Sequence, residues 1–335
     1  MTLRPPSSGH ETFPSACGRQ MDPSAQIVKW LTSLRVGKFK GEPRPHKPVL
    51  LLAVLEVAER GQLSANEVRF DPALFEYFGE YWKAVTDEAV GKVQYPFWHL
   101  ASEPFWSLVP RAGFEATVSG TRTSPSARQV SEWVRCARLA PAFHEALQDP
   151  AVRDRIRGIL VAAYFPERKG RVEEIRRFEQ SVYRYTQLIR KLGEPGTLYQ
   201  AAPEHVRGTA FRRVVTEAYD YTCAVSGVRL TLSAGATYQL VQAAHIHDWS
   251  ASHDDAPQNG IALSPNYHWL FERGLFTLDE RWRVQVSPTS RECVGATDDL
   301  LARYRGHQVR LPADPDLRPG EAYLAWHRAN RFLAD

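Results

Sequence analysis

Residues 240–279 read LVQAAHIHDWSASHDDAPQNGIALSPNYHWLFERGLFTLD and are the most informative part of this 335-residue chain. An apolar, strand-like run, LVQAAHI, ends near His245. A loop then leads to the short helical segment NYHWLFERG, in which His268 and Glu272 stand four residues apart and share one helix face. Asn259 lies between the two histidines, 14 residues after the first and nine before the second. The pattern predicts one imidazole at a strand end and an imidazole–carboxylate pair on a following helix.

Short motifs around these residues resemble the signature of the His-Asn-His (HNH) nucleases, whose ββα-metal fold cuts phosphodiester bonds. The motifs are C-A-V-S-G from Cys223, A-A-H-I from Ala243, N-G-I-A-L from Asn259 and H-W-L-F-E-R-G from His268. The resemblance implies that His245 is the catalytic general base. It implies that Asn259 bonds to backbone near this base and fixes the loop. It further implies that His268, with Glu272, binds a divalent metal, Mg²⁺ or Mn²⁺, beside the scissile phosphate.

Two positions depart from the HNH pattern. Many HNH nucleases have an Asp or His ligand directly before the catalytic histidine, whereas this chain has Ala244. Gln242 or His247 is an alternative ligand for that missing position. Glu272 replaces the usual Asp, which keeps the charge and lengthens the side chain. Cys223 has no C-x-x-C partner and is expected to be a buried packing residue.

The first half of the chain carries a second set of motifs. R-P-H-K-P-V-L-L-L-A-V-L begins at Arg44, Y-P-F-W-H-L begins at Tyr95, and F-W-S-L begins at Phe105. Together they resemble the sulfur-binding domain of bacterial type IV restriction enzymes, which act on DNA carrying phosphorothioate links. In such links a sulfur atom replaces a non-bridging phosphate oxygen. The resemblance covers roughly residues 25–165, and its pairing with an HNH nuclease is also typical of these enzymes.

The resemblance implies a sulfur pocket and a set of DNA contacts. Tyr95 and Pro96 are the candidates for an apolar cup around the sulfur, with Trp98 beside or behind it. Arg44, His46 and Lys47 are the candidates for phosphate and base contacts. Arg122 is the nearest match to a further arginine that follows in the family. If 93–110 forms strands, alternation places Tyr95 and Pro96 on opposite faces.

The local patterns predict an α+β fold with two domains. Helices are predicted over Pro48–Glu59, from Pro72, over 128–148 and over 150–164, and two short strands over 93–110. The expected organisation is a disordered leader, 1–21; a mostly helical DNA-reading domain with a small β-wing, 22–165; a helical linker, 166–196; an HNH domain, 197–312; and a C-terminal helix, 313–335. The apolar spacing within 171–192 predicts a linker helix or a dimer contact equally well.

Composition sets broad limits on the function. The net charge of +4 permits a nucleic-acid partner without requiring one. Four widely spaced cysteines argue against a zinc ribbon or a disulfide framework, and no run of apolar residues is long enough to span a membrane. These features favour a cytoplasmic protein.

The motifs and composition together predict a modification-dependent (type IV) restriction endonuclease acting on double-stranded DNA that carries phosphorothioate links. A homodimer is expected, because two nuclease copies would cut both strands. The alternatives are an HNH nuclease that reads a modified base such as methylcytosine, and a DNA-binding protein with a degenerate nuclease domain.

Overall fold

The computed structural model consists mainly of helices, with four two-stranded antiparallel sheets among the residues it describes. The described residues are 24–39, 42–63, 65–88, 91–191, 202–230, 240–289 and 300–334. The leader predicted at 1–21 lies outside them. Within these ranges no helix is both long and apolar enough to cross a membrane.

The first unit is a helical bundle around one hydrophobic core. Its helices are α1 (Ala25–Thr32), α2 (His46–Glu59), α3 (Pro72–Thr86), α4 (Gln94–His99), α5 (Glu115–Gly120), α6 (Ala127–Trp133), α7 (Pro141–Ala146) and α8 (Pro150–Tyr164). Between α1 and α2 the short strands β1 (Lys38–Phe39) and β2 (Glu42–Pro43) pair antiparallel. Helix α2 forms the centre of the core, since every residue from Lys47 to Val57 is buried. The helices predicted from Pro48, from Pro72 and over 150–164 are confirmed. Pro72 fits at the start of α3 because the first helical turn leaves its N–H groups unpaired.

The prediction of two strands over 93–110 is wrong in its first half. That half forms helix α4, and only Trp106–Pro110 forms a strand, β3. Pro96 lies in the first turn of α4, where no backbone N–H has a partner inside the helix, so it does not break the helix. Aromatic residues favour strands in general, but Phe97 and Trp98 reach the core from a helix here.

The helix predicted over 128–148 is interrupted by a strand, and that prediction is wrong. β4 (Val134–Leu139) separates α6 from α7 and pairs antiparallel with β3, with Trp106 opposite Leu139. The two arginines of β4 are exposed, while its other four residues are buried. The pairing with β3 is a long-range contact that outweighs the local helical pattern.

Helix α9 (Lys169–Lys191) corresponds to the predicted helical linker and packs against the same chain. Its buried stripe of Val182, Tyr185 and Ile189 contacts α10 (Glu204–Ala218), and α9 also packs on α3. The stripe is therefore covered within the chain. A dimer contact through this helix would have to use its other faces.

The second unit contains the ββα arrangement that the sequence predicts. β5 (Gln242–His245) pairs antiparallel with β6 (Gly260–Leu263), and α12 (Pro265–Glu272) packs on both strands. The remaining elements of this unit are α11 (Trp249–Ser252), β7 (Phe276–Leu278), β8 (Val284–Val286) and the C-terminal α13 (Glu321–Asn330). Cys223 is buried in its core, as predicted. The predicted α+β fold class is confirmed.

Buried ion pairs connect the two units through α9. Glu179 of α9 accepts hydrogen bonds from both terminal nitrogens of Arg213, at 2.7 and 2.9 Å, and from Arg60 Nη2 at 2.5 Å. Arg213 Nε also donates to Glu76 of α3 at 2.8 Å. These side chains are nearly inaccessible to solvent, so each charge depends on its partners. The pairs hold α2, α3, α9 and α10 against one another.

Candidate functional site

His245 is the last residue of β5 and lies opposite Gly260 of β6. Its ring stacks on Phe211 of α10, with 3.9 Å between the ring centroids and 4° between the ring planes. Its Nε2 lies 3.1 Å from Asp255 Oδ1. The strand, the aromatic ring and the carboxylate together hold the imidazole in one orientation.

Asp255 is a buried carboxylate that the sequence analysis does not single out. Its Oδ2 accepts hydrogen bonds from Tyr185 Oη and Arg207 Nη1, each at 2.9 Å. Burial raises the pKa of Asp255, but hydrogen bonds from His245 and Tyr185 and the charge of Arg207 outweigh burial and hold that pKa below its ordinary value. The adjacent acids Asp254 and Asp255, in the loop between the two motif strands, are the sequence signal for this contact.

Asn259 is fully buried directly before β6 and forms hydrogen bonds to backbone atoms. Its Oδ1 accepts from the N–H of His247 at 2.7 Å. Its Nδ2 donates to the carbonyl oxygens of His247 and Asp254, each at 2.9 Å. These bonds tie the loop that follows His245 to the start of the second strand.

His268 and Glu272 lie on one face of α12, with 3.2 Å between His268 Nε2 and Glu272 Oε1. His268 Nδ1 lies 2.8 Å from Oε1 of Gln242 in β5. Of the two alternative ligands for the missing position, Gln242 is therefore beside the pair. The other, His247, stacks on Trp326 with 4.0 Å between the ring centroids.

A cavity of about 770 Å³ brings the two histidines together. His245, His268 and Glu272 all line it, and Asp248 and Arg331 contribute opposite charges to its wall. Its volume lies within the usual range of ligand-binding cavities. Asn259 is buried in the loop and is not among the lining residues.

The residues around His268 fit a hydrated divalent cation rather than one enclosed by protein. Among the described residues, no three His, Cys, Asp or Glu side chains converge into a metal-holding group. Ala244, at the position of the missing ligand, is buried in the core opposite Ile261. One imidazole and the largely exposed carboxylate of Glu272 would give a divalent cation two protein ligands, and water and substrate phosphate would fill its other positions.

A second cavity, of about 370 Å³, lies in the first unit and gathers most of the predicted sulfur-pocket residues. Those lining it are Arg44, His46, Lys47, Tyr95 and Pro96. Sequence reasoning missed several further lining residues, namely Arg35, His99, Ser102 and Ser124. These four residues come from three separate segments of the chain that meet only in the folded protein. Their spacing along the sequence therefore gives little signal for the cavity.

Helix α4 explains why two adjacent residues share this cavity. In a strand, Tyr95 and Pro96 would face opposite sides, as the alternation predicts, and that expectation is wrong. In the helix both line the cavity, and His99 joins them one turn after Tyr95. Phe97 and Trp98 face the core instead.

Trp98 and Arg122 are predicted contact residues that are not among the residues lining the cavity. Trp98 is 6% exposed and packs against Trp133, with 6.4 Å between the ring centroids. Arg122 is exposed in the loop that supplies Ser124. Ser124 Oγ lies 2.6 Å from His99 Nε2, which fixes this loop beside α4.

The charges at the cavity come from its arginines and from Lys47. Lys47 is buried and paired with Glu103, with 2.5 Å between Nζ and Oε1. Burial lowers the pKa of His46 to about 4, and the charge of Arg44 adds to the effect. Burial, with the charge of Lys47, also lowers the pKa of His99. Both histidines are therefore neutral at pH 7 and supply polar atoms without charge.

Comparison with known families assigns both units. The family described as "ScoMcrA-like, DNA sulfur-binding domain" matches residues 24–172. The family described as "HNH endonuclease" matches residues 223–279. The chain carries a DNA sulfur-binding domain followed by an HNH endonuclease domain. Both resemblances are thereby confirmed. The sulfur-binding domain contains the 370 Å³ cavity, and the HNH domain carries His245, Asn259 and His268.

One solved structure, described as "Modification dependent TagI restriction endonuclease", is similar to this chain at 20% sequence identity with a TM-score of 0.29. The similarity covers 38% of this chain and 39% of that one, so it spans about two fifths of that protein's length. A comparison with curated proteins gives no match.

Proposed function

We propose that this protein is a modification-dependent (type IV) restriction endonuclease. It binds double-stranded DNA that carries phosphorothioate links and hydrolyses phosphodiester bonds nearby. The observation that carries the proposal is the presence of two different cavities on one chain. The first joins Tyr95 and Pro96 to cationic side chains in the sulfur-binding domain, and the second gathers His245, His268 and Glu272 in the HNH domain.

The first cavity suits sulfur because sulfur is larger, softer and less hydrated than oxygen. The ring of Tyr95 and the apolar surface of Pro96 accept it at a lower desolvation cost than a phosphate oxygen. The remaining negative charge needs cationic donors, which Arg44 and Lys47 supply, while neutral His46 offers a hydrogen bond. The net positive charge at the cavity is small, because Lys47 is paired with Glu103 and both histidines are neutral. A small net charge favours a weakly hydrated anion over an ordinary phosphate.

Trp98 and Arg122 act from outside this cavity. The buried Trp98 ring supports α4 from the core, and the exposed Arg122 contacts the DNA backbone beside the loop of Ser124.

In the HNH domain, His245 acts as the general base. It accepts a proton from a water molecule whose oxygen attacks the phosphorus, and the bond to the leaving oxygen breaks as the new bond forms. Asn259 keeps the loop after His245 in place through its three backbone hydrogen bonds. His268 and Glu272 hold a divalent cation, which when bound supplies positive charge beside the reacting phosphate.

The direct test compares phosphorothioate, methylated and unmodified plasmids incubated with Mg²⁺ or Mn²⁺. Cutting of the sulfur-bearing plasmid alone, abolished in His245→Ala, is the expected result. Cutting of the methylated plasmid instead would assign the first domain to a modified base. Binding of the sulfur-bearing plasmid without cutting would identify a DNA-binding protein with a degenerate nuclease. Equal cutting of all three plasmids would mean that the first domain binds DNA without specificity for a modification.

We also propose that the cytoplasmic enzyme cuts both strands as a homodimer. One HNH domain holds one set of catalytic residues, so two copies suffice for a double-strand break. The buried stripe of α9 is covered within the chain, so the contact uses exposed faces of α9 or α13. Sedimentation equilibrium with and without DNA checks this proposal, and a monomer at micromolar concentration in both cases would contradict it.

A further inference from the structure

We infer that Asp255 is the residue that positions the nuclease base, and that α9, the helix between the two domains, helps to set it through Tyr185. The inference rests on the proposed role of His245. Asp255 joins three elements that are far apart in sequence. It contacts His245 at the end of β5, Tyr185 on α9 and Arg207 on α10.

Asp255 acts through His245 and not on substrate. Asp255 is 1% exposed, and it does not line the 770 Å³ cavity. It is also absent from the lining of a further cavity, of about 650 Å³, which His245 shares with Phe178 and Gln242. An ionised carboxylate only accepts hydrogen bonds, so the proton in the bond between Asp255 and His245 sits on Nε2 of the neutral ring. The lone pair is then on Nδ1, which is the ring nitrogen left to accept a proton from water.

The second oxygen of Asp255 is held as firmly as the first. Tyr185 Oη and Arg207 Nη1 both donate to Oδ2 at 2.9 Å. Burial raises the pKa of Tyr185, and the adjacent carboxylate raises it further, so its hydroxyl remains a donor. The Arg207 guanidinium also lies over the ring of Trp249, 4.0 Å from its centroid, and Trp249 lines the catalytic cavity. The carboxylate therefore has no freedom to rotate away from His245.

Helix α9 connects this contact to the sulfur-binding domain. The helix carries Tyr185, and six residues earlier it carries Glu179, which Arg60, directly after α2, contacts at 2.5 Å. A movement of α9 relative to the HNH domain changes the Tyr185–Asp255 hydrogen bond. Through Asp255, the relative position of the two domains therefore affects the orientation of His245.

The test combines cleavage kinetics with the tautomeric state of His245. In Asp255→Asn, the new amide can donate to Nε2 and favour the opposite tautomer. We expect kcat on phosphorothioate DNA to fall by roughly 10²–10⁴-fold, as for the equivalent change at a catalytic histidine elsewhere, with KM within twofold. Tyr185→Phe removes one donor and lowers kcat by about 3–10-fold. Tyr183→Phe, on the same helix, is the matched control and leaves kcat unchanged.

Nitrogen NMR of ¹⁵N-histidine-labelled protein, with the signal assigned by its loss in His245→Ala, reads the tautomer without any cleavage. A proton on Nε2 in the native protein, and its loss from Nε2 in Asp255→Asn, is the expected result. A proton on Nδ1 in the native protein overturns the inference, as does an Asp255→Asn enzyme with native kcat. If Asp255→Asn does not fold, the native spectrum and Tyr185→Phe still decide. Continued cutting by His245→Ala would instead sink the proposed function, whatever the tautomer.

Discussion

At the scale of single residues, Tyr95 shows how a backbone conformation decides which side chains meet. It stands in the first turn of α4, so it lines the 370 Å³ cavity together with Pro96 and His99. The ring is half-buried, and Lys92 Nζ lies 5.5 Å from its centroid. We propose that the ring of Tyr95, and not its hydroxyl, contacts the sulfur.

Tyr95→Ala is therefore expected to weaken binding of a phosphorothioate duplex by about tenfold, equivalent to the loss of one apolar contact of ~1.4 kcal/mol. Binding of the unmodified duplex changes by less than twofold, because that phosphate gains little from an apolar ring. Fluorescence anisotropy at fixed salt measures both affinities. Tyr95→Phe keeps the ring and serves as the control. An equal loss of affinity for the two duplexes would assign Tyr95 a structural role only.

His327 is a buried residue whose protonation state affects the stability of the second unit. Its ring stacks on Phe271 with 3.8 Å between the centroids, and it bonds to Thr277 Oγ1 at 2.9 Å and to the Phe271 carbonyl at 3.1 Å. Burial lowers the pKa of His327 to about 4, although the Phe271 carbonyl opposes the shift. The unfolded chain therefore takes up a proton at higher pH than the folded one.

The stabilising effect of neutral His327 is complete above pH 6.5 and is lost as the pH falls toward 4. We expect the free energy of unfolding to drop by on the order of 3 kcal/mol from this residue between these limits. Urea unfolding at several pH values, compared with His327→Gln, isolates the contribution. The same pH dependence in both proteins would show that other groups are responsible.

At the scale of elements, local patterns identify those parts of the fold that local forces decide. The continuous apolar run after Pro48 predicts α2, and the resemblance to HNH nucleases around His245, Asn259 and His268 implies the ββα unit. The strand prediction for the first half of 93–110 fails because its aromatic residues fit a strand or a buried helix equally well. Packing against the core then decides which of the two forms. The helix prediction over 128–148 fails because long-range pairing, with β3 and with Val68, stabilises the strand β4 inside it.

Gly260 shows that the pairing of β5 with β6 is closely packed beside His245. A Cβ atom here would lie 2.3 Å from Val215 Cγ2 and 3.1 Å from both Phe211 Cζ and the Pro257 carbonyl oxygen. Phe211 is the ring on which His245 stacks. A side chain at this position must therefore displace Val215, and it presses on the ring that supports His245.

We expect Gly260→Ala to lower the free energy of unfolding by about 1–3 kcal/mol through overpacking, and to reduce cleavage in the remaining folded enzyme. Gly158→Ala in α8 is the control, since a Cβ there meets nothing within 4 Å. That change is expected to stabilise the protein by about 0.5–1 kcal/mol. Chemical denaturation of both variants provides the comparison, and a neutral Gly260→Ala would contradict the packing described here.

At the scale of the whole molecule, the catalytic and recognition units share a buried network of charges. Glu179 on α9 is bonded to Arg60 of the sulfur-binding domain and to Arg213 of α10. Neither this network nor the contact of Tyr185 with Asp255 is evident from the sequence. The partners lie 34 to 119 residues apart, and acidic and basic residues on a helix usually face solvent.

Glu179→Ala leaves two arginines without their shared carboxylate. The expected loss of stability is about 3–5 kcal/mol, as for other buried pairs that lose one partner. Glu132→Ala, which breaks the exposed pair with Arg128, is the control and changes stability by less than 1 kcal/mol. Differential scanning calorimetry measures both variants. Equal melting temperatures for Glu179→Ala and the native protein would mean that the buried network does not stabilise the contact between the units.

Calorimetric titration of the His245→Ala protein, which we expect to bind DNA without cutting it, tests whether the sulfur-binding domain distinguishes a sulfur-bearing backbone while the HNH domain cuts. The two titrants are duplexes of identical sequence that differ in a single sulfur atom. We expect tight binding of the phosphorothioate duplex and at least ~10-fold weaker binding of the ordinary one. Equal dissociation constants for the two duplexes would contradict it.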